Sequence, residues 1–591
     1  MKGCFNKVLR IDLTTRSFRH EPLPDEMMET SLGGKGLGIR LLMDENPAGV
    51  DAFSPENSFV IAVGPVTGTA MWGQSRFAVF TKSPATGGFG ESYCGGTLAS
   101  KIKGCGVDAV ILKGKADSLT YLVIDKDAVR FEDGASLKGA ETFETQKYIL
   151  DHSPKGAGAM VIGPAGENLV RFACIKSDKW RSLGRGGMGA VLGAKNIKGI
   201  SFSGKEKPPI ADEGMLKQII KQVAEAGKES PASALYKQLG TPMQVKVTNS
   251  QKCFPTRYWQ SGYFEKWENL SADYMQKNFV TKSIGCPPCF LQCTKRSVLK
   301  NGRHAGLELE GPEYETIYAL GGLNELDTLE EVAWLNDLCD RLGIDTMSAG
   351  NISAFAVEAC RAGRIGFDID YNQPDRMAEL FSMISRKEGI GALLGEGIRV
   401  ASEELGLEDI AVHVKGLEPA GFEPRVLKGM GLSYATAARG ACHLRGTFYK
   451  AELSGQMHKD QIEGKAELLV DYEDRATIFD CLILCRFFRD LIFWDKLQML
   501  VEATTGMKFT LDTLRSLANE ITQLARKFNA REGLDGSQDK LPKAFFQKNS
   551  EGAALSEVEL KTMIDDYNRI RQSRPFQAAS DEPASADNRK G

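Results

Sequence analysis

Residues Lys205 to Pro209 read KEKPP, and the chain changes character across them. A charged stretch with paired prolines continues neither a strand nor a helix, so it reads as a linker. Upstream, short apolar runs recur between glycine-rich turns: Ser58 to Val63 (SFVIAV), Asp108 to Leu112 (DAVIL), Thr120 to Asp125 (TYLVID) and Ala159 to Ile162 (AMVI). They predict a β-rich domain over residues 1–207. Downstream, apolar residues recur at helical spacing. Asp327 and Glu330 read as a capping box opening a helix to about Leu342. Amphipathic helices are predicted over 347–362, 476–491, 513–528 and 556–571, the last with its own Ser556/Glu559 box. The expected fold class is α+β, a β-rich N-terminal domain followed by two mainly α-helical domains, residues 208–412 and 413–576. Residues 577–591, rich in Ser, Ala, Asp and Pro without periodicity, are expected to be disordered. No internal repeat is evident.

The bulk numbers exclude several classes. A chain of 591 residues is too long for one core. A net charge of -3 leaves no electrostatic footprint for nucleic acid or an anionic membrane. No apolar run approaches the roughly 18 residues of a spanning helix. The opening MKGCFNKVLRID lacks the apolar core of a signal peptide, so a cytoplasmic protein is expected. Thirteen cysteines are too few for a disulfide scaffold, and six histidines are sparse for a histidine-rich zinc or copper enzyme. Cys174 and Cys360 read as small buried hydrophobes.

The informative cysteines are those of GCPPCFLQC, Gly285 to Cys293. Cys286, Cys289 and Cys293 are close enough to converge on one metal site, and Pro287 and Pro288 keep the segment out of regular structure. Structural zinc usually takes two separated C-x-x-C pairs, whereas cubane iron–sulfur clusters use a compact triplet plus a remote cysteine. A zinc site completed by a distant Cys or His stays open on spacing alone. Cys481 and Cys485, in Phe479 to Phe488 (FDCLILCRFF), are both candidates for the fourth ligand; on a helix they would share a face. Asp340 to Asp345 (DRLGID) and Asp480 to Cys485 (DCLILC) share a shape: each opens with Asp and ends on a ligand-capable side chain. Gly343 can adopt the left-handed conformation that ends a helix.

Glycine clusters occur at Gly33 to Gly38, at Gly95-Gly96 and along Arg181 to Gly193 (RSLGRGGMGAVLG). Backbone amides in such turns bind anions, and Arg76, Arg181 and Arg185 can add charge-assisted bonds to phosphate. Gly184, Gly186 and Gly189 spell G-x-G-x-x-G. The polar run Lys176 to Ser182 separates it from the preceding strand, and the only acid near ribose spacing, Glu206, lies in the linker, so it is not read as a dinucleotide site. Glu313 in LEGPEYET and His443 in YATAARGACHLRG lie in turn-rich segments and are the acid/base candidates; packing roles are the alternative.

Together these features resemble the aldehyde:ferredoxin oxidoreductase family of tungsten bis-pterin enzymes. The resemblance runs in order through LRIDLTT (Leu9 to Thr15), GRGGMGAVLGAKN (Gly184 to Asn196), CPPCFLQC, GPEYET, DRLGID, RGACHLRG and DCLILC. It implies a [4Fe–4S] cluster on Cys286, Cys289, Cys293 and Cys485, leaving Cys481 as packing. It implies pterin contacts from Asp340, Gly343, Ile344, Asp345, Asp480 and Leu484, with Arg76 between cluster and pterin phosphate. Tyr93, Gly95, Gly96, Arg181, Ser182, Gly184, Arg185, Gly186 and Arg445 match the segments around the pterins and the Mg2+ bridging their phosphates. Tyr93 and Ser182 depart from the Asn and Ala frequent in the family, a change tolerable if backbone carbonyls bind the magnesium. No histidine lies between His304 and His413, so the bridging iron of some members is not expected.

Glu313 and His443 match the acid and imidazole beside the metal, which is tungsten with molybdenum as the alternative. The implied reaction oxidises an aldehyde to a carboxylic acid. Electrons leave through the cluster to ferredoxin or an iron–sulfur partner subunit. The rival readings are a low-potential reductase subunit of the same family, acting on aromatic acyl-CoA or carboxylic acids, and a zinc-stabilised non-enzymatic binding protein.

Overall fold

The computed structural model describes residues 1–573; the expected disordered tail, 577–591, lies outside them. The first sheet is built from β1 (Lys7–Asp12), β2 (Ser17–Pro22), β3 (Phe59–Ala62), β4 (Arg76–Lys82), β5 (Phe89–Gly95) and β6 (Ala109–Lys113), in the order β2-β1-β6-β3-β4-β5. The second comprises β7 (Thr120–Ile124), β8 (Val129–Asp133), β9 (Gly158–Val161), β10 (Ile175–Ser177), β11 (Arg181–Leu183) and β12 (Ile197–Phe202), in the order β11-β10-β9-β12-β7-β8.

Numbered within itself and read from the matching edge, each sheet runs 2-1-6-3-4-5. In each, the first and last strands pair in parallel and the other neighbours are antiparallel. The domain is therefore a topological duplication, contrary to the absence of a repeat in the sequence. Side-chain identity has drifted, but equivalent backbone corners persist. Val63-Gly64-Pro65 follows β3, and Ile162-Gly163-Pro164 follows β9.

Alternation along the strands explains the layers. Leu9, Ile11, Phe59, Ile61, Phe77 and Val79 of the first sheet meet Leu122, Ile124, Met160, Ile175, Ile200 and Phe202 of the second in one core. The other face of the first sheet (Val8, Val60, Ala78, Phe80, Ile111) packs on residues of the helices Gly34–Glu45, Lys465–Leu482, Trp494–Thr505 and Leu511–Arg531. A small antiparallel sheet of β13 (Phe279–Ile284), β14 (Thr294–Leu299) and β15 (Glu308–Glu310) carries the cysteine segment between its first two strands. A helical core containing Trp259, Tyr318, Phe355, Phe422, Tyr434 and Tyr567 joins residues on both sides of 412/413.

Several expected boundaries move. The helix Leu329–Leu342 is preceded by Thr328, and no side chain caps it. Asp327 instead receives Lys266 Nζ at 2.7 Å, and Glu330 accepts a hydrogen bond from the Tyr274 hydroxyl. The Ser556/Glu559 box is present. The helix expected over 476–491 is Lys465–Leu482, stopped by Ile483 in the left-handed region at φ 59°. Cys481 and Cys485 therefore do not share a helix face. The glycine run Gly184–Gly187 directly follows β11, so no polar spacer separates them. The helix after it, Met188–Ala194, leads to β12, which is not a parallel neighbour of β11, so there is still no βαβ unit. Cys174 is buried, whereas Cys360 is only partly so.

Candidate redox site

Two helix ends organise the site. Gly343 (φ 76°) ends Leu329–Leu342 as Ile483 (φ 59°) ends Lys465–Leu482. A Cβ on Gly163 would come within 2.4 Å of the Leu342 carbonyl, and one on Gly64 within 2.1 Å of the Leu482 carbonyl. Each helix end thus lies against the glycine that follows the third strand of one sheet. The next residues are tied to the approach of the fourth strand: Cys174 N–H donates to Gly343 O and Asp345 N–H to Phe172 O, while Cys485 N–H donates to Gly73 O. The two short motifs occupy equivalent corners of the duplicated domain.

A cavity of about 330 Å³ opens beside the second corner. Cys286, Cys289, Cys293 and Cys485 all line it, together with Arg76, Tyr93, Gly95, Arg181, Ser182 and Glu313. Cys481 is fully buried, where Gly36 donates a backbone hydrogen bond to its sulfur. Its place is in packing. Gly96 N–H donates to Cys286 Sγ at 3.2 Å, and Arg76 Nη1 lies 4.0 Å from Cys485 Sγ. Leu291 and Gln292 N–H groups bond to Cys289, whose pKa burial nonetheless pushes up to about 12. A Cβ on Gly95 would sit 3.0 Å from Cys286 Sγ, so glycine keeps this space open. A single tetrahedral zinc, with sulfurs at about 2.3 Å, needs its thiolates within about 4 Å of one another. Among the described residues no three of His, Cys, Asp or Glu gather closely enough for one ion. Four thiols around a shared space, with N–H donors aimed at sulfur, fit a larger cluster.

A second cavity of about 110 Å³ shares Arg76 and Tyr93 with the first and adds Gly184, Arg185, Arg439, Arg445, Asp480 and Leu484. Asp480 is held by Arg445 and by Arg486, whose Nη2 lies 2.6 Å away. Arg445 also reaches Glu91 at 3.1 Å and lies 4.8 Å above the Tyr93 ring. Trp180 Nε1, beside the first cavity, and Arg445 Nε, beside the second, are buried donors without an acceptor among the described residues. Such orphans and clustered guanidinium groups fit an anionic, acceptor-rich heterocycle.

The first corner is ion-paired. Buried Lys176 donates to Asp340 Oδ1 and to Ser182 Oγ, both at 2.6 Å. Asp345 caps the helix Thr346–Arg361 and accepts Arg185 Nε at 2.9 Å, while Glu418 takes Arg185 Nη2 at 3.0 Å. Lys176 and Glu418 escaped the sequence reading because isolated charges carry no spacing signal. Gly186, at φ 86°, lines neither cavity; its carbonyl accepts the Ser83 hydroxyl at 2.8 Å.

Glu313 and His443 are not brought together. Glu313 lies in the cysteine cavity with its carboxylate bonded to Thr241, and burial raises its pKa. The carboxylate beside His443 is Glu315, two residues on in the same GPEYET segment, with Oε1 3.4 Å from His443 Nε2. Glu315 Oε2 accepts Gly421 N–H at 2.9 Å, yet burial pushes its pKa up to about 8. Burial and the Arg439, Arg185 and Arg445 charges hold His443 well below the usual imidazole range, so it is neutral. Phe422 and Tyr449, stacked at 4.0 Å, and Tyr314 form an aromatic wall around the couple.

The sequence profile of the aldehyde ferredoxin oxidoreductase N-terminal domain matches residues 8–204, and that of domains 2 and 3 of the same family matches residues 218–574. The chain is 32% identical over 590 residues to a tungsten-containing aldehyde ferredoxin oxidoreductase of Pyrococcus furiosus, covering 97% of this chain and 96% of that one. It is 30% identical over 471 residues to the WOR-like subunit of an aliphatic sulfonate oxidoreductase from the same organism, covering 74% of each. A solved active-site complex, BamBC of benzoyl coenzyme A reductase, superposes with a TM-score of 0.83 at 23% identity, covering 96% of this chain and 94% of that one, which shows the shared fold. The chain belongs to the aldehyde ferredoxin oxidoreductase family.

Proposed function

We propose that the chain oxidises aldehydes to carboxylates with water, passing two electrons to ferredoxin or an iron–sulfur partner subunit. The observation that carries the reading is the Glu315–His443 couple, partly buried behind an aromatic wall and within the field of Arg439, Arg185 and Arg445. When bound, a tungsten–pterin centre held between the two corners would supply the electron acceptor, and a [4Fe–4S] cluster on Cys286, Cys289, Cys293 and Cys485 would relay the electrons singly. Asp340, Asp345 and Asp480 would orient the pterins, with Arg76, Arg185 and Arg445 balancing their charge. The segments at Tyr93 and Ser182 would hold a bridging Mg2+.

The chain's own groups manage the protons. Glu315 is poised near neutrality, where a carboxylate can accept a proton from water as it attacks the carbonyl carbon. Neutral His443 has a single N–H, and carried on Nε2 it faces the Glu315 carboxylate and orients it. Tyr314, Phe422 and Tyr449 exclude bulk water and enclose the organic body of the substrate. The acid/base role moves from Glu313 to Glu315 because only Glu315 meets the imidazole.

Elemental analysis of the purified protein, with benzaldehyde oxidation assayed against a viologen dye, tests the reading. Tungsten (or molybdenum), iron and dye reduction are expected. Zinc alone would restore the binding-protein reading. Acyl-CoA reduction without aldehyde oxidation would favour the reductase reading, for which the shared fold with a benzoyl coenzyme A reductase complex is the support.

A further inference from the structure

A cavity of about 650 Å³, roughly twice the cysteine cavity, lies between the segments around 399–415 and 538–564 and shares no lining residue with either site cavity. Part of its lining is apolar, with Ala411, Val414, Leu541 and Leu560 buried and Phe546 partly so. Cations make up another part. Lys415 is already paired with Asp539 at 2.7 Å, Lys543 with Asp409 and Lys561 with Asp565.

Arg399 is different. It is partly buried; among the described residues its guanidinium reaches only the Thr86 carbonyl at 3.3 Å, and no carboxylate lies within ion-pair distance. Burial lowers its pKa, and the nearest acid to offset this is Glu403, one helical turn on. Beside it, His413 Nδ1 accepts Gly416 N–H at 3.2 Å, which fixes the tautomer with Nε2–H free to donate. Burial and the Arg399 and Lys540 charges push the His413 pKa down to about 4, so the ring is neutral. Glu403, Glu408 and Glu557 stand exposed at the rim, solvated by water. A half-buried cation without a counter-charge is costly, and an apolar cavity with a few convergent polar groups is the usual anatomy of a ligand site.

We propose that this cavity binds a small organic anion, a carboxylate carried on an apolar body. Arg399 and the His413 Nε2–H grip the carboxylate, while Val414, Phe546 and Leu560 enclose the body. The site is independent of the redox reading.

Calorimetric titration of the metal-loaded protein with benzoate and hexanoate tests it, beside benzyl alcohol, which lacks the charge, and inorganic phosphate, which lacks the body. Both carboxylates should saturate one site that survives His443→Gln, and both controls should bind at least about tenfold more weakly. Arg399→Gln should weaken benzoate at least about tenfold. Lys540→Glu, on the exposed rim where folding is not at stake, should weaken it several-fold. The proposal is overturned by the absence of saturable carboxylate binding, by binding unchanged in both variants, by phosphate binding as tightly, or by loss of the site in His443→Gln, which would place the carboxylate at the redox centre.

Discussion

Replacing Glu315 by Gln removes the titratable member of the partly buried couple and keeps its shape. The parent carboxyl has a pKa of about 8, so the ionised fraction is about 1% at pH 6 and about 90% at pH 9. If the carboxylate takes the proton, kcat should rise about tenfold per pH unit below pH 8 and level above it. Glu315→Gln should cost about 10²–10⁴-fold, roughly 3–5 kcal/mol of barrier, and abolish that slope. A second readout follows from linkage. A carboxyl raised from 4.5 to about 8 binds its proton more tightly in the native state. Native stability is therefore unaffected below pH 4.5, falls as pH rises from 4.5 to 8, and stays low above, by up to roughly 5 kcal/mol. With 22% of the side chain still accessible, water in the cavity makes the real figure smaller. The variant should therefore melt higher than the parent at pH 8.5 and close to it at pH 4.5. The assay is a pH profile of aldehyde-dependent dye reduction on protein whose tungsten and iron content matches the parent. A flat parent profile, or a variant that keeps the slope, would refute the assignment, and loss of metal would make Glu315 structural.

Cys485→Ser should lose the cluster, read as a fall in iron content and in the reduced-cluster paramagnetic signal, whereas Cys481→Ser should keep both. Lys176→Met strands a fully buried carboxylate at Asp340 and should cost about 3–5 kcal/mol; the drop in apparent melting temperature should be larger at pH 8 than at pH 5, where Asp340, its pKa already raised by burial, protonates more readily. Gly343→Ala puts a Cβ 2.9 Å from Gly163 N at φ 76°, so it should cost about 1–3 kcal/mol and lower pterin content with it.

Much of this was readable in the residues. Apolar runs placed four strands of the double sheet, and the compact cysteine triplet named three of the four thiols that line one cavity. What escaped depends on chain paths rather than local pattern. The duplication is invisible because topology survives when side chains drift, leaving only Gly64-Pro65 and Gly163-Pro164 as traces. The helix end at Ile483 was missed because a β-branched residue is a poor signal for the left-handed conformation; tertiary packing against Gly64 imposes it. Glu315 was passed over for Glu313 because the two stand on the same turn, and only the fold shows which faces the imidazole.

The duplication also gives the fourth cysteine a physical reason. Asp345 (φ -61°, ψ 116°) and Cys485 (φ -69°, ψ 129°) follow equivalent left-handed turns with nearly the same backbone. At the first corner the side chain turns inward to cap a helix and meet Arg185, closing that side with charge pairs. At the second, the helix that follows is a short 3-10 turn without a side-chain cap, so the side chain is free to face the cysteine cavity, with Arg76 between it and Tyr93. The same backbone corner thus carries a helix cap at Asp345 and, at Cys485, a thiol that lines the cysteine cavity. A cluster in the cysteine cavity would pass its electrons out on the side where the exposed Gly285 and Pro287 bring the cysteine loop to the protein surface. A carrier protein should dock there, over the 285–289 loop, and placing a glutamate at Pro287 should slow ferredoxin reduction while leaving reduction of a small viologen dye unchanged.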